Sequence, residues 1–252
     1  MCRLFGQHAP PDHDRCEALC TGENALRFQS HRHPHGWGIG WYEGERVVVR
    51  RGLLPAHADG AFLEAARSAR SRIVLAHVRD ASVGPVTAEN THPFVHGRWL
   101  FAHNGTVARY RRVAAVRAAI EAEIDPPLRA ALRGQTDSER CFLLFLTLLG
   151  ARAPLSGATL ADVSAALAAT VRTIQRIADR PRARSALNFL AADGRILVAT
   201  RVGRELHLAD RVGPERAFVI ASEPIGRVAW RPVPEGGIVA HDGEESLEAP
   251  LA

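Results

Sequence analysis

The feature that most constrains this chain is the order in which its hydrophobic period changes. Strand-patterned segments come first, helix-patterned segments fill the middle, and strand patterns return in the last third. Residues 2–7 read as a strand. GWGIGWY (36–42) and RVVVRR (46–51) read as a hairpin turning at Glu43, Gly44 and Glu45. SRIVLAHVR (71–79) and RWLFAHNG (98–105) follow as strands, the second ending on an Asn-Gly break. Helices are expected over 14–29, 59–70, 108–123, 137–151 and 159–180. In the last of these, Leu160, Val163, Leu167, Val171, Ile174 and Ile177 recur at helical spacing behind a Thr159–Asp162 capping box. ALNFLAAD, RILVAT, RAFVIAS and GGIVAHD then restore the strand pattern. This order predicts an α+β fold in which sheets pack together and helices cover them. No repeat or linker divides it, so a single domain over 2–252 is expected.

Composition removes several function classes. With 46% apolar and 23% charged residues, the 252-residue chain has the make-up of a globular protein able to bury a large core. Its longest apolar run, CFLLFLTLLGA (141–151), is shorter than the roughly 18 residues of a membrane span and suits a buried helix. The opening MCRLFGQHAPPDHD has no export-signal pattern, so a cytoplasmic protein is expected. All 32 basic residues are arginine, scattered among 27 acids with no basic stripe, which argues against nucleic acid as a partner. The absence of lysine excludes Schiff-base and P-loop chemistry. Cys2, Cys16, Cys20 and Cys141 fit no zinc or redox spacing. Cys16 and Cys20 read as small buried hydrophobes on one helix face. His31, His33 and His35 alternate as metal ligands on a strand would, but Pro34 interrupts the strand and no carboxylate or cysteine completes a set. A solvated histidine loop is expected there, with no metal and no organic cofactor.

Cys2 carries the chemical interest. Removal of Met1 would leave one residue holding both a thiol, of pKa roughly 8.5, and an α-amine of roughly 7.7–8.0. That joins a nucleophile to a base. Three further segments stand out: AHVRDAS (76–82), FAHNG (101–105) and GQTDSE (134–139). Each also has a plain structural reading. Arg79 is a surface arginine at a strand end, Asn104-Gly105 is a turn, and Thr136-x-x-Glu139 is a capping box with Asp137 in the first helical turn. Taken together they meet one chemical demand. Arg79 suits an α-carboxylate, Asp137 an α-ammonium, and the Asn104 amide with the Gly105 N–H an oxyanion at a carbonyl. The missing Cβ of Gly105 allows close approach.

Met-Cys-Arg at the start, AHVRDAS, NTHPF (90–94), FAHNG and TDSE resemble the glutaminase domain of class II glutamine amidotransferases. LNFLAADG (187–194) and VIASEPI (219–225) are similar to that family's C-terminal strands, so the resemblance spans nearly the whole chain. It is nearest to the stand-alone members, including the γ-glutamyl hydrolase of ergothioneine biosynthesis. The resemblance implies a four-layer αββα sandwich of the N-terminal-nucleophile hydrolases and cleavage of a γ-glutamyl amide. It makes Cys2 the nucleophile, Asn104 and Gly105 the oxyanion hole, Arg79 and Ser82 the α-carboxylate binders, and Asp137 the α-ammonium binder. His92 and His103 are expected as hydrogen-bonding braces. Two positions depart from the pattern. His33-Pro34-His35-Gly36-Trp37-Gly38 stands where stand-alone relatives have Asn-Pro-Asp-Gly-Trp-Gly, and Val83 stands where synthase-linked members have histidine. Two alternatives stay open: a glutaminase subunit feeding ammonia to a synthase partner, and an inactive γ-glutamyl-binding relative. Self-association as a homo-oligomer also stays open.

Overall fold

The computed structural model describes residues 2–11, 15–212 and 217–251. The first half of the chain supplies β1 (Arg3–His8), α1 (Leu26–Gln29), β2 (Trp37–Glu43), β3 (Arg46–Gly52), α2 (Gly60–Ser68) and β4 (Ile73–Val78). Next come β5 (Phe94–His96), β6 (Trp99–Thr106), α3 (Ala114–Ala122), α4 (Pro126–Arg129), α5 (Asp137–Gly150) and α6 (Leu160–Ala178). The last third holds β7 (Ala186–Ala192), β8 (Leu197–Arg201), β9 (His207–Val212), β10 (Ala217–Ala221), β11 (Arg231–Pro232), β12 (Gly237–His241) and β13 (Ser246–Pro250).

Two antiparallel sheets form the middle of the molecule. One has the order β11–β9–β10–β1–β4–β2–β3 and the other β13–β12–β8–β7–β6–β5. Alternation along each strand sends residues to two different apolar layers. In β4, Ile73 and Leu75 enter the core between the sheets, while Val74, Ala76 and Val78 join the layer beneath α1 and α2. On the far side, α3, α5 and α6 cover the second sheet through Phe101, Phe142, Phe145, Leu167 and Val171. The result is the αββα order of layers.

The 141–151 run is a buried helix, as its length requires. Phe142, Leu144, Phe145, Leu146 and Leu149 of α5 are at most 1% exposed, and the Phe142 ring stacks on Phe101 with centroids 5.2 Å apart. At roughly 1.5–3 kcal/mol for each large apolar side chain, packing rather than propensity holds this helix. The Thr159–Asp162 capping box is complete in both directions. The box at Thr136 is half made. Thr136 Oγ1 accepts from Glu139 N, but the Glu139 carboxylate turns to Arg133 N and Gly134 N, each at 2.8 Å, and pins the loop before the helix.

Three expectations need correction. The helix over 14–29 is not continuous. Its residue 14 lies outside the described residues, and the rest forms a π-helical turn at Glu17–Thr21 followed by α1. Gly22 is extended (φ −67°, ψ 164°) and Asn24 is left-handed (φ 55°), so the hydrogen-bond ladder ends between them. The helix expected from 108 begins at Ala114, because Arg109 also adopts a left-handed conformation (φ 63°). Finally, Asn104-Gly105 is not a turn. The strand continues to Thr106, with Asn104 opposite Asn188 and Gly105 opposite Leu187 on β7.

Candidate active site

Cys2 stands at the head of β1, which lies between β4 and β10. The register places Arg3 opposite Val78, so the chain leaving β4 passes the thiol. Asp80 N donates to Cys2 Sγ at 3.3 Å. Burial pushes the thiol above its ordinary range, against the pull of the Asp80 N–H and the Arg79 charge. A neutral thiol that holds its proton needs a base before it can attack.

Asn104 reaches the same strand through Ser222. Its Nδ2 donates to Ser222 Oγ at 3.2 Å, and Leu4 N donates to that oxygen at 2.9 Å. Asn104 is 3% exposed, and its Oδ1 is buried without a hydrogen-bond partner. A half-turn of the amide exchanges its two ends. The Ser222 hydroxyl proton then goes to Oδ1, and the NH2 occupies the unpartnered position as a free donor. Sequence reasoning saw VIASEPI only as a strand and missed Ser222.

Gly105 has a reason of its own to be glycine. A Cβ there would stand 1.9 Å from the Ala186 carbonyl oxygen and 2.8 Å from His103 Nε2. The missing side chain therefore admits β7 first of all. His103 is a brace, as expected. Its Nε2 lies 2.9 Å from Ala186 O and its Nδ1 2.9 Å from Ser138 Oγ, so Nε2–H donates to the carbonyl and Nδ1 accepts from the hydroxyl.

Arg79 and Asp137 are buried rather than exposed, at 2% and 3%. The Arg79 guanidinium donates to the carbonyls of Pro85 (3.0 Å), Val83 (3.1 Å) and Gly84 (3.3 Å). Those bonds leave part of its five-donor fork uncommitted. Asp137 accepts from Val107 N at 2.7 Å and from Ser138 N at 3.0 Å, which ties the start of α5 to the end of β6. Ser82 lies beside that end, with its Oγ 3.3 Å from Thr106 Oγ1. Asn90, fully buried in the NTHPF run, joins the two motif loops. Its Nδ2 donates to Pro85 O and Gln135 Oε1, and its Oδ1 accepts from Gln135 N. Sequence reasoning assigned Asn90 no role of its own.

The histidines divide sharply. His31 is exposed and stacks on His57 at 3.7 Å, whereas His35 accepts from Ala81 N and approaches Asp80. His33 is only 4% exposed, so the expected solvated loop fails at that residue. His92 is not a brace either: both its ring nitrogens, like those of His77 and His33, are buried without hydrogen-bond partners. Burial lowers His77 to about 3, with Arg79 and His103 adding repulsion, and lowers His33 to about 4. Among the described residues no cluster of three or more histidine, cysteine or acidic side chains has metal-binding geometry.

Comparisons with known proteins give the family and the fold. The family model described as class-II glutamine amidotransferases matches residues 1–226. A γ-glutamyl-hercynylcysteine sulfoxide hydrolase from Mycolicibacterium smegmatis is 34% identical over 231 residues, covering 90% of this chain and 86% of that protein. The protein of the same name from Mycobacterium tuberculosis H37Rv is 33% identical over 230 residues, covering 90% and 84%. Among solved structures, a glutamine aminotransferase class-II domain protein from Silicibacter pomeroyi superposes with a TM-score of 0.70 at 23% identity, covering 99% of both chains. The glutamine phosphoribosylpyrophosphate amidotransferase of Bacillus subtilis superposes at 0.69 and 16% identity, and there this chain spans 49% of the other. At those identities the two structures speak for the fold alone. With its family model matched over most of its length and relatives above 30% identity, the chain belongs to the class II glutamine amidotransferases, and its fold is that of the N-terminal-nucleophile hydrolases.

Proposed function

We propose that this protein, acting as one domain over 2–252, hydrolyses a γ-glutamyl amide through a thioester on Cys2. The observation that carries the reading is the convergence at the head of β1, where Cys2 Sγ meets the Asp80 N–H and Asn104 is tethered through Ser222. The relatives named as γ-glutamyl hydrolases support the substrate class.

In this reading Met1 is removed and the freed Cys2 amine takes the thiol proton. The thiolate attacks the γ-carbonyl, and the oxyanion is met by the Asn104 NH2 and the Gly105 N–H. The protonated amine then delivers its proton to the departing nitrogen as the C–N bond breaks. Water attacks the thioester, the C–S bond breaks, and glutamate leaves while the sulfur recovers a proton. The spare donors of Arg79, with Ser82, hold the α-carboxylate of the glutamyl group, and Asp137 holds its α-ammonium. These bonds fix the glutamyl half against the two loops that Asn90 joins. The acceptor is water, the substrate is a small molecule, and no ammonia is passed to a synthase partner. Among the described residues no disulfide joins any of the four cysteines, which suits the reducing cytoplasm.

The test is substitution at Cys2. Cys2→Ala is expected to melt as the parent does and to hydrolyse no γ-glutamyl amide, while Cys2→Ser keeps a trace. A glutamine-like diazoketone is expected to label Cys2 ahead of Cys16, Cys20 and Cys141. Normal turnover by the alanine variant would remove the proposed chemistry.

A further inference from the structure

The glutamyl half of the proposed substrate faces the β4 side of β1, where Arg79 lies. On the opposite side of β1, after β10, Asn104 lines a second space. It is a pocket of about 250 Å³ walled by Arg3, Asn104, Arg204, Glu205, Ser222 and Glu223. Its charges are not equally available. The Glu223 carboxylate already receives Arg3, Arg32 and Asn24. Arg204 has no such partner. Its Nε is buried without a hydrogen bond, and among the described residues no carbonyl or carboxylate accepts from its guanidinium. A buried donor left unpaired is unfavourable unless a ligand completes it.

The backbone beneath Arg204 is clamped. Asn188, fully buried on β7 and directly opposite Asn104, donates through Nδ2 to the carbonyls of Arg204 (3.1 Å) and Glu205 (3.2 Å). Its Oδ1 accepts from Val202 N at 2.9 Å. Gly203 N is held by Glu235 Oε1 at 2.7 Å. One cross-strand pair therefore sets the carbonyl-side residue Asn104 and the loop carrying Arg204 at a fixed separation. The only other uncommitted charge of the wall, Glu205, is exposed at the rim.

We propose that this pocket receives the leaving half of the substrate and that Arg204 binds a carboxylate on it. Arg204 is then a specificity-determining residue. The preferred substrates are γ-glutamyl derivatives of amino acids, whose leaving amine carries a carboxylate, over glutamine and simple γ-glutamyl amides. A planar guanidinium suits that group through a two-pronged contact. The assignment rests on the γ-glutamyl reading of the site, and the experiment separates the two.

Calorimetric titration of the Cys2→Ala protein with γ-glutamyl-alanine and with γ-glutamyl-alaninamide isolates the one charge, because the two ligands differ only at that carboxyl. The acid is expected to bind about 10- to 100-fold more tightly, the range of a charge-assisted hydrogen bond. The same titrations on Cys2→Ala/Arg204→Met are expected to bring the ratio close to one. Equal binding in the Cys2→Ala protein, no binding of either ligand, or a preference that survives Arg204→Met overturns the assignment. Turnover of both compounds by the parent protein is read separately. Discrimination in binding without hydrolysis removes the hydrolase reading and leaves the subsite standing.

Discussion

Three buried histidines without partners predict that this protein loses stability in mild acid. His77 sits between the sheets with its ring 4.2 Å from that of His92, and neither ring makes a hydrogen bond. His77 is lowered to about 3 and His33 to about 4, both mainly by burial, and His92 falls well below the ordinary range for the same reason. In the unfolded chain each titrates near 6.5. The folded state binds fewer protons than the unfolded state between the two values, so stability is complete above about pH 6.5 and falls as pH drops through that window. His77 and His33 each remove up to about 1.4 kcal/mol per pH unit, or about 2 kcal/mol by about pH 5. For His77 and His33 together the loss is about 4 kcal/mol, a large part of a total of roughly 5–15 kcal/mol. Urea unfolding followed by tryptophan fluorescence, at about pH 7.5 and about pH 5, measures it. The variant His77→Phe keeps an aromatic ring and removes the titrating group. It is expected to recover about 2 kcal/mol of the acid loss. An unchanged pH dependence in His77→Phe would show that its ring is protonated in the folded state, against the burial argument.

Two substitutions on β6 separate scaffold from chemistry. Gly105→Ala drives a methyl group to 1.9 Å from Ala186 O. It is expected to part β6 from β7 and lower the melting temperature as well as activity; a parent-like melting curve would contradict the packing argument. Asn104→Asp keeps the strand but turns a carboxylate toward the developing oxyanion. Loss of one such donor costs about 10²–10³ in rate, so kcat is expected to fall at least about a hundredfold with little change in binding of a γ-glutamyl analogue. Near-normal kcat would take Asn104 out of the site.

What was legible in the sequence follows physical range. α5 and α6 were visible because a continuous apolar run and a capping box are local signals, and both were complete within a few residues. The β2–β3 hairpin was visible for the same reason, and its register closes with Glu43 opposite Arg46. The break in the 14–29 helix was not visible, since left-handed Asn24 leaves no mark in hydrophobic period. Asn104-Gly105 looked like a turn because both residues suit one. Only pairing with β7 reveals a strand that needs glycine for lack of room. The motifs of the candidate site could be read, but not its assembly. The bonds that gather it join distant residues, such as Asn104 and Ser222 across 118 positions, and Asn90 and Gln135 across 45. Nor did sequence show that the Arg79 guanidinium donates to a backbone carbonyl and that the Asp137 carboxylate accepts from a backbone N–H.

The central claim is that the Cys2 thiol becomes the acyl carrier once its amine is free. Mass spectrometry on the parent protein, quenched in acid during turnover of a γ-glutamyl amide and mapped by peptide, tests that claim directly. The account predicts a chain beginning at Cys2 and carrying one γ-glutamyl group on that residue, an adduct that disappears when substrate is exhausted. Turnover by a chain that keeps Met1, or an adduct on Cys16, Cys20 or Cys141 with Cys2 unmodified, would contradict it.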